Sequence, residues 1–170
     1  MVNTLGYMLT WTTYGTWLQG DKRRYVKKGK TLPPDEKLFQ TNKELQASET
    51  VRLSPQHKQL VREAIMNEAE KIGQEILALA VCSSHVHLVA RYIPKPVSDV
   101  VAYYKKAGRL ALKEIGLHGK IWAKGYDKRF CFDQLTLDKR IKYVQNHNIK
   151  QEPHVKRGAK YLAPSCTGGF

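Results

Sequence analysis

Glu75-Ile76-Leu77-Ala78-Leu79-Ala80-Val81-Cys82-Ser83-Ser84-His85-Val86-His87-Leu88-Val89-Ala90-Arg91-Tyr92 is the stretch on which the fold turns. Two runs rich in apolar and β-branched residues flank Ser83-Ser84, which predicts an antiparallel hairpin with strands at Glu75–Cys82 and His85–Tyr92. Side chains alternate faces along a strand. His85 and His87 therefore share one face, and Val86 and Leu88 point the other way into apolar packing. Two imidazoles so placed fit two states: a shared metal ion, or a solvated histidine pair on a half-buried strand. A metal needs at least one more protein group or a substrate oxygen.

Working outward, Ser54-Pro55 reads as a helix N-cap followed by proline at the first helical position. Leu60, Val61, Ala64, Ile65, Glu68 and Ile72 continue at helical spacing, and Gly73 ends the element. Tyr7–Thr12 is aromatic and β-branched and reads as a strand, broken by Gly15 and Gly20-Asp21. Residues 21–51 are polar, with Pro33-Pro34 and a basic cluster of Lys22, Arg23, Arg24, Lys27, Lys28 and Lys30, and read as a long loop-like excursion from the core. Beyond the hairpin, Pro94 and Pro96 punctuate, and Ser98-Asp99 cap a helix to about Lys113. Short extended pieces follow at Ile121-Trp122 and Arg129–Phe132. Thr136 caps a last helix, Leu137 to about Asn148. This order predicts an α+β, ferredoxin-like sandwich: a mainly antiparallel sheet with helices packed on one face. Residues 1–148 form one domain, and 149–170 a basic, loosely ordered tail.

The charge narrows the function. Lys and Arg number 29 against 15 acidic residues in a chain of 170, a net +14 that favours a polyanionic partner. A generic basic protein is the plain alternative. No apolar run has the length of a membrane span and the N-terminus does not read as a signal peptide, so no membrane partner and a cytoplasmic location are expected. Cys82, Cys131 and Cys166 are odd in number and far apart, which suggests neither a disulfide framework nor a zinc knuckle.

The last helix carries Tyr143 and His147 four residues apart, on one face and one turn from each other. If His147 joins His85 and His87 around a metal, the Tyr143 hydroxyl comes to lie beside that metal, as a phosphoryl-transfer nucleophile requires. Arg140 and Lys142 would add positive potential. The plain readings are an amphipathic tyrosine and a histidine favoured by the helix C-terminal dipole. Tyr103 and Tyr104 have no such ligand one turn on; one reads as core and the other as a base-stacking contact. Lys105, Arg109 and Lys113 repeat every four residues as a stripe suited to a DNA backbone, or as a solvated face. Trp11, Trp17, Trp122 and Tyr126 are interleaved with basic residues and suit stacking on unpaired bases, with Trp122 equally readable as core.

These features together resemble the single-tyrosine HUH (histidine-hydrophobic-histidine) transposases, especially the REP-associated tyrosine transposases. The matching elements are His85-Val86-His87 after a helix-strand unit, Ile121-Trp122 followed by Tyr126 and Arg129-Phe130, and a closing helix bearing Tyr143-Val144. Thr10-Trp11-Thr12-Thr13-Tyr14-Gly15-Thr16-Trp17-Leu18 is also similar to a branch of that family. The resemblance implies a divalent ion, Mg²⁺ or Mn²⁺, and cleavage of single-stranded DNA bearing hairpin ends. It implies attack by Tyr143 on a phosphate, leaving a 5′-phosphotyrosine and a free 3′-hydroxyl for strand transfer. It further implies that the residue four after the tyrosine completes the metal site. The family often has Gln or Asn there, and His147 would favour softer ions such as Mn²⁺. Family members often close this helix with Asn-Pro, whereas Asn148 is followed here by Ile149. A homodimer, with the active site completed in cis or in trans, is the alternative to a monomer.

Two other classes compete. Histidine-triad nucleotide hydrolases also use alternating strand histidines, but Val89 stands where their third would be. A non-catalytic ferredoxin-like nucleic-acid-binding module explains the charge and the aromatics, but not Tyr143 and His147 meeting His85 and His87.

Overall fold

The computed structural model describes residues 3–17, 21–23, 25–27 (backbone only), 30–46 and 48–150. Arg24, Lys28, Cys166 and the tail from residue 151 lie outside the described residues. The elements run β1 (Gly6–Thr12), β2 (Tyr25–Lys27), β3 (Lys30–Leu32), α1 (Glu36–Glu44), α2 (Pro55–Ile72), β4 (Ile76–Val81), β5 (His85–Arg91), α3 (Val97–Glu114), β6 (Asp127–Cys131) and α4 (Gln134–Ile149). Four strands form one antiparallel sheet in the order β4-β5-β1-β6. β1 crosses to β4 through α2 with β5 between them, and β5 crosses to β6 through α3 with β1 between them. This doubled split βαβ is the ferredoxin-like arrangement.

Alternation along the strands divides the interior in two. Tyr7, Leu9 and Trp11 of β1 with Val86, Leu88 and Ala90 of β5 meet Val61, Ile65 and Ala69 of α2 and Val100, Val101, Tyr104 and Leu112 of α3. Met8, Ala78, Ala80 and Val89 face the opposite side and meet Leu137 and Val144 of α4, with Ile141 packed beside them. The expectation that all helices share one face is thus corrected. The two crossover helices cover one face, and α4 covers the other. Leu137, Ile141 and Val144 form an i, i+4, i+7 seam. Each fully buried aliphatic contributes roughly 1.5–3 kcal/mol, so the seam fixes which edges of α4 stay open.

Helix ends show where local signals were read well and where they were not. Ser54 caps α2, accepting from the His57 N–H at 3.2 Å while His57 Nδ1 accepts from the Ser54 N–H. Gly73 ends that helix in the left-handed conformation at φ 70°, which its missing Cβ permits. On α4 the cap is Asp133, not Thr136: its carboxylate accepts from the Thr136 N–H and hydroxyl, both at 2.8 Å. Asp and Thr are both good caps, and the helix simply begins one turn earlier. Helix α3 starts after Pro96 with no side-chain cap, so Ser98 and Asp99 lie in its first turn rather than before it. The excursion over 21–51 also differs from a bare loop. It carries the β2–β3 hairpin and α1, whose N-cap Asp35 accepts from the Leu38 N–H at 3.0 Å. Helix α1 buries no residue, so it adds nothing to the core.

A buried polar knot ties β1, α3 and the α2–β4 turn together. Gln74 Nε2 donates to the Tyr7 hydroxyl at 2.6 Å and to the Arg91 carbonyl at 2.8 Å, and the Tyr104 hydroxyl donates to Gln74 Oε1. All three side chains are buried. Gln74→Leu would keep the volume and orphan two phenols, and a buried group left unsatisfied costs about 1–3 kcal/mol. Urea unfolding of Gln74→Leu is expected to show a loss of about 2–3 kcal/mol with an unchanged m-value.

Candidate active site

The second, shallower face of the sheet is where the chemistry collects. His85 and His87 project from β5 on the same side as Met8, Thr10 and Val89, because Val86 and Leu88 are committed to the α2–α3 core. Helix α4 lies over that side. Its Leu137–Val144 seam leaves Arg140, Tyr143 and His147, spaced three and four residues apart, along one edge facing β5. The C-terminal end of α4 is pinned to β4 and α2: Asn148 Nδ2 donates to the Leu79 carbonyl at 3.0 Å, and Arg62 Nη2 of α2 donates to that carbonyl at 2.8 Å and to Asn148 Oδ1 at 3.3 Å.

Three imidazoles converge as a result. The His87 ring centroid lies 4.6 Å from that of His85 and 4.5 Å from that of His147, with His85 and His147 5.9 Å apart. Each offers a nitrogen within 4.8 Å of the other two. A point within about 2.8 Å of all three nitrogens therefore exists, against ~2.0–2.3 Å for a bound ion, so closing by less than about 1 Å would complete the coordination. The donor chemistry suits this. His147 Nδ1 lies 3.1 Å from the Tyr143 carbonyl, which can only accept, so Nδ1 carries the proton and the lone pair sits on Nε2. His87 Nδ1 shares a 2.8 Å hydrogen bond with the hydroxyl of Thr10, its cross-strand partner, and His85 Nδ1 one of 3.1 Å with Ser84. Such outer partners orient imidazole ligands. Among the described residues this is the group that could hold a metal.

Tyr143 stands at the rim. Its ring centroid is 4.6 Å from His147 and 5.5 Å from His87, and the residue is 46% exposed. The rival tyrosines are elsewhere: Tyr104 is buried in the α2–α3 core, where desolvation raises its pKa, and Tyr103 lies on the outside of α3. The cluster opens into a groove of about 810 Å³. Thr10, Thr12, His85 and His87 form its floor, and Arg140, Tyr143 and His147 one side. The loop from Ala123 to Tyr126, with Asp127 and Arg129 of β6, forms the other.

The basic candidates are distributed unevenly around this groove. Arg140 lines it, and Lys142 is exposed on α4 beside Tyr143. Arg23 stacks 5.1 Å over Trp17, itself a groove residue, and is paired with buried Asp21, whose pKa it lowers. Lys22 is exposed next to it. Arg109 and Lys113 are exposed along α3, away from the histidines. Lys105 is half-buried instead, its ammonium donating to the carbonyls of Ala123 and Gly125. Trp122 packs edge-to-face on Trp11, and its indole N–H donates to the Lys105 carbonyl at 2.8 Å. Lys124, Arg129 and Thr10 also line the groove, although the sequence reading gave none of them a site role. Cross-strand register, which pairs Thr10 with His87 on one side and Asp127 on the other, was the signal for Thr10.

Electrostatics favour the neutral form of the two strand histidines. Burial, then the charges of His85 and His147, push His87 down to about 3. Burial, His147 and Arg23 also lower His85. A histidine whose folded pKa lies below its unfolded value of about 6.5 resists protonation in the native state. Its contribution to stability is complete above about 6.5 and is lost as pH falls from there toward 3. Metal-free protein should therefore lose thermal stability steeply between pH 6.5 and 4. His87→Gln, which cannot titrate, should show a distinctly flatter decline in the same melting series.

The wider relationships agree with this geometry. Residues 46–147 match the family described as "Transposase IS200 like". The fold is similar to that of a REP-associated tyrosine transposase solved bound to a REP hairpin. That likeness has a TM-score of 0.53 and 14% identity, over 88% of this chain and 70% of the other. A candidate transposase from Deinococcus radiodurans R1 is similar at a TM-score of 0.44 and 17% identity, over 86% of this chain and 93% of the other. No curated protein matches the chain in sequence. Among the described residues no helix is long and apolar enough to cross a membrane. With a family match that covers more than half of the sequence and takes in both histidine strand and tyrosine helix, the chain belongs to the IS200-like transposase family.

Proposed function

We propose that this transposase cleaves and rejoins single-stranded DNA, with Tyr143 as nucleophile and His85, His87 and His147 as ligands to a divalent ion, Mg²⁺ or Mn²⁺. The observation that carries this reading is the Tyr143 ring set against His87 and His147 at the mouth of a basic groove. When bound, the ion polarises a phosphate oxygen and offsets charge developing in the transition state. The Tyr143 oxygen forms a bond to phosphorus while the bond from phosphorus to the 3′-oxygen breaks. The phenol proton is released, and the departing 3′-oxygen acquires one. The products are a 5′-phosphotyrosine and a free 3′-hydroxyl, and reversal with a different 3′-hydroxyl transfers the strand.

Arg140 and Lys142 add positive potential beside the nucleophile. Arg109, Lys113, Lys22 and Arg23 extend the cationic surface toward flanking DNA, a role also proposed for Arg24. The hairpin bound by the similar REP-associated transposase supports hairpin-bearing DNA as the substrate. Residues 1–148 act as the catalytic domain, in the cytoplasm. Tyr143 and His147 lie on the same chain as the strand histidines they meet, which supports an active site completed in cis, whether or not the protein pairs as a homodimer.

The test uses oligonucleotides labelled at either end and run on denaturing gels with Mg²⁺ or Mn²⁺. Label on the 3′ side of the cut should travel with the wild-type protein. Tyr143→Phe should lose the adduct entirely while binding DNA as before, and Tyr103→Phe should keep it. His85→Ala with His87→Ala should abolish cleavage and leave most DNA binding. A metal-free binding module would give neither cleavage nor adduct, and an adduct persisting in Tyr143→Phe would remove the tyrosine assignment.

A further inference from the structure

The groove wall opposite Tyr143 is not held by its own hydrogen bonds. Its backbone is stitched between two neighbours. On one side the continuation of β1 receives it: the Ala123 N–H donates to the Thr12 carbonyl at 2.9 Å, and the Tyr14 N–H to the Ile121 carbonyl at 2.8 Å. On the other side it is tied to α3 by a reciprocal pair. The Trp122 indole N–H donates to the Lys105 carbonyl, and the Lys105 ammonium donates to the Ala123 carbonyl at 3.0 Å and the Gly125 carbonyl at 2.7 Å. The helix makes room for this, since a Cβ on Gly108 would come within 3.1 Å of Trp122 Cζ2. Two of the three ammonium protons are thus spent on backbone carbonyls, leaving one for any other partner. The stapled segment presents Ala123, Lys124, Gly125 and Tyr126 to the groove.

Resting on the nuclease reading above, we infer that Lys105 is a positioning residue. It acts through the Ala123–Tyr126 wall, setting the width of the channel in which a DNA strand meets Tyr143, and not by touching phosphate. A misplaced wall lets the strand sit off line, and small displacements from reactive geometry cost rate steeply.

Lys105→Gln in the full chain separates the two roles, with exposed Lys106→Gln as the control for loss of one positive charge. Three quantities are read: exchange of the Ala123 amide in the free protein, kcat and KM for single-stranded DNA cleavage, and the salt dependence of DNA binding. Lys105→Gln should raise exchange of the Ala123 amide, whose N–H is bonded to the Thr12 carbonyl, at least tenfold and lower kcat about tenfold. Its log K against log salt slope should match that of wild type. Trp122→Phe, which keeps an aromatic side chain and removes the indole N–H that forms the other half of the staple, should move exchange and kcat in the same direction, and serves if Lys105→Gln does not fold. A slope reduced by about 0.7–1 with unchanged kcat would make Lys105 a phosphate contact and overturn the inference, as would unchanged exchange. If the wild-type protein makes no adduct, the nuclease reading itself fails, and the exchange measurement still decides whether the staple holds the wall.

Discussion

Strand β5 has to satisfy two faces at once, and the rest of the molecule follows from how it does so. It lies between β4 and β1, so every side chain on it points into one of two packed layers. Val86, Leu88 and Ala90 take the layer under α2 and α3, and His85 and His87 are left to the layer under α4. A shift of one residue in register would exchange the sets, placing imidazoles in an aliphatic core and aliphatics in the groove. The apolar residues therefore hold the histidines in place as firmly as any hydrogen bond. Thr10 adds the remaining constraint by engaging His87 Nδ1 from the neighbouring strand.

That arrangement accounts for the difference between this cluster and a chance histidine pair. Surface imidazoles near one another are hydrated and titrate close to their ordinary range. Here desolvation is the largest influence on both strand histidines, and each also feels the positive charge its neighbours would carry. Burial and these neighbouring charges favour the neutral, lone-pair-bearing form of both strand histidines at neutral pH. A divalent ion would satisfy the same lone pairs without a proton, so three imidazoles gathered in this way suit ligation.

Much of this was legible in the sequence, and the reasons divide cleanly. The shared face of His85 and His87 follows from a period of two, and the pairing of Tyr143 with His147 from one helical turn; both are local rules with no tertiary content. The ferredoxin-like strand order followed from the element sequence. The placement of α4 was misread, although the clue was available. If Tyr143 and His147 reach the histidine face, α4 must lie opposite the helices that cover Val86 and Leu88. What local rules could not show is pairing between distant segments. Nothing in the spacing of Lys105, Arg109 and Lys113 says that the first turns inward to carbonyls eighteen and twenty residues away while the other two face solvent. Nor does the polar composition of Glu36–Glu44 reveal a helix, because that helix buries nothing and so leaves no apolar stripe.

Under the proposed function, the helical turn joining Tyr143 to His147 reconciles two requirements. A metal ligand is best withdrawn from water, where neutral imidazole is favoured, whereas a nucleophile for a polymeric substrate must stand where a long strand can reach it. His87 is 7% exposed and Tyr143 46%, and His147 lies between them on the path from the sheet to the rim. An α-helix crossing the sheet at its seam gives that gradient directly, since residues four apart share an edge. Because Leu137 and Val144 anchor the helix and Asn148 ties its end to Leu79, phenol and imidazole move as one unit. Any shift of α4 would displace His147 and Tyr143 together and preserve their mutual geometry. The opposite wall is bonded to β1 through Ala123 and Thr12 and to α3 through Lys105, so the span between wall and Tyr143 is set from the sheet edge and α3 together.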